Sequence, residues 1–148
     1  LKKVDAVRDL LAGFGIDLVT CPKMYDSSLF FMPGAVVSCV DTMKARKMIW
    51  ERVKRNPNLS TFVDVRIHER FLELYTIRPH QAEDITLYES RLYSDSTVRK
   101  NVCGRHGVIH VTAAAAAAVV RALTDTWSGD TPVALEEVLF TKNGIHIL

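Results

Sequence analysis

The chain has little of what would mark a specialised architecture. Its three cysteines, Cys21, Cys39 and Cys103, share no CxxC spacing, so neither a disulfide framework nor a zinc knuckle is expected. An odd number of cysteines in an ordinary composition points to a reducing, cytoplasmic setting. No apolar run approaches the length of a membrane span, and no signal-peptide pattern opens the chain, so no membrane partner is expected. Charge of one sign is scarce as well. The formal net charge is only +2, the basic residues form no stripe, and no aromatics are interleaved with them, which gives nucleic-acid binding no footing. The histidines His68, His80, His106, His110 and His146 are not paired at ligand spacing with another His, Cys or carboxylate on one face. Gly13-Phe14-Gly15 lacks a third glycine and lies between a helix and a strand, the reverse of the order a dinucleotide loop requires.

What is present is ordinary globular material. The chain has 148 residues, 48% hydrophobic and 24% charged, enough for one domain with a real core. It opens with Leu1 rather than Met and runs straight into a helical pattern, as a chain would that begins inside a longer protein.

Val4, Val7, Leu10, Leu11 and Phe14 recur at helical spacing, and Gly13 and Gly15 stop the helix. Ile16 to Cys21 reads as a short β run, and 22–32 as a loop with at most one helical turn. Ala35 to Val40 (AVVSCV) is a continuous apolar run, the mark of a parallel strand covered on both faces. Ala45, Ile49 and Val53 then predict a helix that Asn56-Pro57 ends. Phe62 to Ile67 and Phe71 to Ile77, separated by His68-Glu69-Arg70, predict an antiparallel hairpin. Residues 79–102 are polar, with one possible helical turn around Leu87 to Leu92. Val108 to Trp127 is the longest helix candidate, its run Ala113 to Ala118 suited to close packing on a neighbour. Val133 to Phe140 and Ile145 to Leu148 close the chain as strands. With no linker and no repeat, the order describes the later part of one α/β domain whose sheet turns from parallel to antiparallel.

Two positions stand out chemically. Asp41 follows the AVVSCV strand, beyond whose carboxyl end ligands of open α/β sheets bind; there a carboxylate serves Mg²⁺ or a nucleotide phosphate. The competing reading, favoured by spacing alone, makes Asp41 the N-cap of the next helix. Cys103, in Asn-Val-Cys-Gly-Arg-His-Gly, precedes a helix and stands near Arg105 and His106, all of which favour a thiolate. Its alternative is a small buried residue. Lys3, at the start of the first helix, is placed to neutralise phosphate or simply to be solvated.

Taken together, four segments resemble the ThiF/MoeB/HesA family, bacterial relatives of ubiquitin-activating enzymes. They are Lys-Val-Asp-Ala-Val-Arg-Asp-Leu-Leu (3–11), Val-Val-Ser-Cys-Val-Asp-Thr-Met-Lys-Ala-Arg (36–46), Phe-Val-Asp-Val-Arg (62–66) with the β run ending Thr-Ile-Arg-Pro, and Cys-Gly-Arg-His-Gly-Val (103–108). They occur in the family's order and span most of the chain. The resemblance implies a Rossmann-like three-layer α/β fold with a mixed sheet, its N-terminal portion lying outside this sequence. It also implies ATP- and Mg²⁺-dependent adenylation of the C-terminal carboxylate of a ubiquitin-like or sulfur-carrier protein, by a homodimer. In those terms Lys3, Asp41 and Thr42 contact ATP, Asp41 serves Mg²⁺, Cys103 accepts the acyl group or handles a persulfide, and Arg46, Arg66 and Arg105 support the site. The family's glycine-rich loop, with its upstream arginine and asparagine, is not in this sequence, so the chain as it stands should not bind ATP unaided. Thr42 stands where the family has asparagine, and the absent CxxC pairs place the likeness in a zinc-free branch. A non-catalytic relative that only binds a ubiquitin-like protein is the alternative. A dehydrogenase-like nucleotide-binding domain fits less well, because the sequence offers neither a glycine loop nor the acidic ribose-binding residue after it.

Overall fold

The computed structural model describes residues 2–26, 33–94 and 109–148. Helix α1 (Lys3–Ala12) ends where Gly13 to Gly15 turn the chain, with Gly15 at φ +73°. No residue of α1 is buried, so its apolar stripe, including Leu10, remains exposed. The β run expected over Ile16 to Cys21 is not a strand. Its β-branched residues supply propensity, but among the described residues no strand pairs its backbone, and Ile16 and Val19 stay exposed.

Strand β1 (Gly34–Ser38) ends two residues before the expected Val40. It pairs in parallel with β2 (Leu59–Ile67) after crossing over through α2 (Met43–Val53). The apolar run suggested a strand covered on both faces. Instead β1 is an edge strand with one open face, where Val37 is 42% exposed. Helix α2 buries Met43, Arg46, Ile49, Trp50 and Val53, a stripe at helical spacing. His68-Glu69-Arg70 closes the predicted hairpin onto β3 (Phe71–Ile77), with the His68 amide donating to the Phe71 carbonyl at 2.8 Å.

Where only a turn around Leu87 to Leu92 was predicted, α3 (Ala82–Ser90) forms a full helix. The long helix is α4 (Ile109–Ser128), followed by β4 (Leu135–Thr141) and β5 (Gly144–Ile147). The sheet order is β1-β2-β3-β4-β5, and every pair after β1–β2 is antiparallel. The chain is thus α/β, with a five-stranded mixed sheet and four helices among the described residues.

Because strand side chains alternate, β2 feeds two cores. Phe62, with Tyr75 and Ile77 of β3, packs on Trp50 and Val53 of α2 and Tyr88 of α3. The rings meet edge-on, Trp50 and Tyr88 with centroids 4.9 Å apart. Val63 and Val65, with Leu72 and Leu74, pack on Val111, Ala115 and Ala122 of α4.

Candidate functional site

Strand β1 ends at Ser38, opposite Asp64 of the parallel strand β2, and a cleft of about 970 Å³ opens beyond it along the last residues of β2. Val37, Val65 and Ile67 give it an apolar floor, and Ala115, Ala116, Val119 and Val120 of α4 a wall of small side chains. Asp41, Thr42, Arg46, Arg66, His68 and Tyr93 supply its polar groups.

Asp41 is exposed at this cleft, and among the described residues its carboxylate makes no hydrogen bond or ion pair. Spacing favoured Asp41 as the cap of α2, but the cap is Thr42. Thr42 is extended (φ −116°, ψ 144°), and its Oγ1 accepts from the Ala45 amide at 3.2 Å. The helix therefore starts one residue later than the aspartate reading required, and the Asp41 carboxylate is not used up in capping.

Arg46 stands one turn into α2, so the same helical start that caps on Thr42 points it back toward the strand end. One terminal nitrogen donates to the Val40 carbonyl and the other to Asp64 of β2, a fully buried ion pair on the carboxylate side. Asp64 also accepts from Arg66 Nε at 2.9 Å and from the Tyr88 hydroxyl at 3.1 Å. Arg66 lies over the Tyr75 ring, its guanidinium carbon 4.2 Å from the centroid, and donates through Nη1 to the Arg91 carbonyl at 3.0 Å. Its Nη2, though buried, has no partner among the described residues, and the same holds for Ser38 Oγ. With Glu73 Oε2 3.6 Å from Arg66, two arginines face two carboxylates, and the charges balance.

The electrostatics follow from this burial. Desolvation works against the Arg66 charge, but Asp64 beside it, with Tyr75 and Tyr88, more than offsets that and holds it above its ordinary range. Burial pushes the Tyr75 and Tyr88 hydroxyls well above theirs, against the pull of Arg66. Cys39, on the cleft, is pushed up by desolvation of its sulfur and then by Asp64, with Arg46 opposing, so it is no activated thiol.

The structure brings Asp41, Thr42, Arg46 and Arg66 to one cleft. Lys3 is exposed at the start of α1 and is not among the residues lining it. Cys103 and Arg105 lie outside the described residues. Sequence reasoning included Asp64 in the 62–66 segment without giving it a role, and it passed over Tyr88; both stand behind the cleft, bonded to its arginines or to one another. The signal for Asp64 was available: two opposite charges two apart in an apolar strand, Asp64 and Arg66, must share one face. Among the described residues no cluster of three His, Cys, Asp or Glu forms a metal cage. A lone, unengaged carboxylate beside a cleft nevertheless suits Mg²⁺, which keeps its waters and binds through one or two carboxylates and a nucleotide's phosphates. No helix among the described residues is long and apolar enough to cross a membrane. Comparison with protein-family models, with curated proteins and with solved structures finds no match.

Proposed function

We propose that this chain carries the later part of a ThiF-type adenylating site, in a Rossmann-like three-layer fold. The reaction is ATP-dependent activation of the C-terminal carboxylate of a ubiquitin-like or sulfur-carrier protein. The observation that supports it best is Asp41: a carboxylate with no partner among the described residues, beyond a parallel strand, on a cleft, next to the capped start of a helix. Bound Mg²⁺ would neutralise phosphate charge as the carrier's carboxylate oxygen bonds the α-phosphorus of ATP, the bond to the β-phosphate breaks and pyrophosphate leaves. In this reading Asp41 orients the nucleotide's phosphates, Thr42 and Arg46 hold the segment that carries it, and Arg66 with Arg105 supports the site. The apolar floor and the alanine and valine wall would give an extended peptide tail an apolar approach. Cys103 is the proposed acceptor once the adenylate has formed, and Lys3 the proposed phosphate contact. The working form is proposed to be a homodimer.

A second reading is a non-catalytic partner that binds a ubiquitin-like protein without activating it. The position of Lys3, away from the cleft lining, favours it. ATP–pyrophosphate exchange by the full-length protein, with and without candidate carriers, separates the two. Exchange that requires a carrier and disappears in Asp41→Asn supports the enzyme. Carrier binding with neither exchange nor nucleotide binding supports the second reading and sinks the first. In Cys103→Ala, exchange should survive while thioester or persulfide formation is lost.

A further inference from the structure

Asp41 has no bonding partner among the described residues, so what the fold sets is its backbone position and Cα–Cβ direction, through the tethers on either side of it. On one side Thr42 is fixed by its cap to Ala45. On the other, the Val40 carbonyl is held by Arg46, and Arg46 is held by Asp64. Asp64 is 0% exposed and is anchored independently of α2, by Arg66 Nε at 2.9 Å and the Tyr88 hydroxyl at 3.1 Å. A rigid point in β2 is therefore connected, through one planar guanidinium, to the backbone next to Asp41.

We propose that Asp64 is a positioning residue for Asp41: through Arg46 it fixes the Val40 carbonyl and so the direction in which the Asp41 carboxylate meets a nucleotide-bound divalent cation. This rests on the adenylating reading and adds to it a residue that never touches the ligand. The geometry favours arginine at position 46, because its two terminal nitrogens reach two separate acceptors in one fixed fork, whereas a lysine would have to bring both acceptors to a single nitrogen. Groups that orient a metal's direct ligands change its affinity by about 10–100-fold when altered.

The test uses the full-length protein and Mn²⁺ as the probe. Mn²⁺ is titrated in the presence of a non-hydrolysable ATP analogue, and free Mn²⁺ is followed by its electron paramagnetic resonance signal. Pyrophosphate exchange is measured in parallel, and circular dichroism checks that each variant is folded. Asp41→Asn should abolish nucleotide-dependent uptake. Arg46→Lys keeps the charge opposite Asp64, and Asp64→Asn keeps the shape. Each should raise the half-saturating Mn²⁺ concentration by about 10–100-fold, and exchange should climb again as Mn²⁺ is raised toward saturation. Tyr88→Phe, which removes one anchor of Asp64 and keeps the ring in the core, should shift the midpoint in the same direction by less. A purely structural role for Asp64 would lower the melting temperature and leave these midpoints unmoved. Wild-type midpoints in the folded variants, with Asp41→Asn still defective, would overturn the positioning role and leave the adenylating reading standing. Wild-type protein that takes up no Mn²⁺ with the nucleotide, and supports no exchange, overturns both.

Discussion

Asp64 shows how much a single carboxylate is asked to do here: with no access to solvent it accepts from two arginines and a tyrosine. A buried ion pair is weak evidence of net stability, because desolvation consumes most of its Coulombic gain, but breaking one half is costly. Arg46→Ala should destabilise the chain by about 3–5 kcal/mol, read as a lower urea midpoint with an unchanged slope. Arg46→Lys should lose much less, since a cation still faces Asp64. A loss under about 1 kcal/mol for Arg46→Ala would mean that the pair behaves as a solvated surface contact. At this scale the sequence was partly legible. The pairing of Asp64 with Arg66 follows from strand alternation, whereas the reach of Arg46 to Val40 depends on where α2 begins. Adjacent Asp41 and Thr42 are both good caps, and only the backbone angles decide between them.

The elements divide by how much of their order is local. The hairpin turn and β3 were readable to the residue because a short turn between two β-rich runs leaves few alternatives, whereas β2 begins at Leu59, ahead of the expected Phe62. Helix α3 was missed because its apolar residues do not repeat cleanly; it buries Tyr88 and Asp84, and the latter ties back to Arg78 at 2.7 Å. Pro79 ahead of Glu83 and Asp84, acids in the first turn, was the signal that a helix begins there. The opposite error, a strand over Ile16 to Cys21, came from composition with no partner to pair. In α4 the alanines differ by position. Ala115 is 3% exposed against the β2–β3 core, while Ala117 faces solvent. Ala115→Leu should overpack this contact and cost about 1–3 kcal/mol, and Ala117→Leu should change stability by about 0.5 kcal/mol or less. Equal effects in denaturant unfolding would refute the close approach of α4 to the sheet.

For the molecule as a whole, strand directions were legible from connections. A strand–helix–strand passage demands a crossover and a parallel pair, and a three-residue link demands an antiparallel one. The position of β4 beside β3, and of β1 at the edge, was not legible, because pairing between distant segments leaves no local mark. The buried polar network that joins α2, β2, β3 and α3 also has an optical consequence. Of the four tyrosines, Tyr75 and Tyr88 are 0% exposed and share the network around Asp64 and Arg66. Their hydroxyls ionise above the ordinary value of 10.0, burial being the main cause. The unfolded chain gives up these protons first, so their stabilising contribution is intact below about pH 10 and drains away as pH climbs beyond it. Phenolate absorbance should therefore rise in two steps, the second coinciding with unfolding, and Tyr75→Phe and Tyr88→Phe should each remove part of that second step. The chain would then report the closing and opening of its own core as a colour change in the ultraviolet, without any added dye.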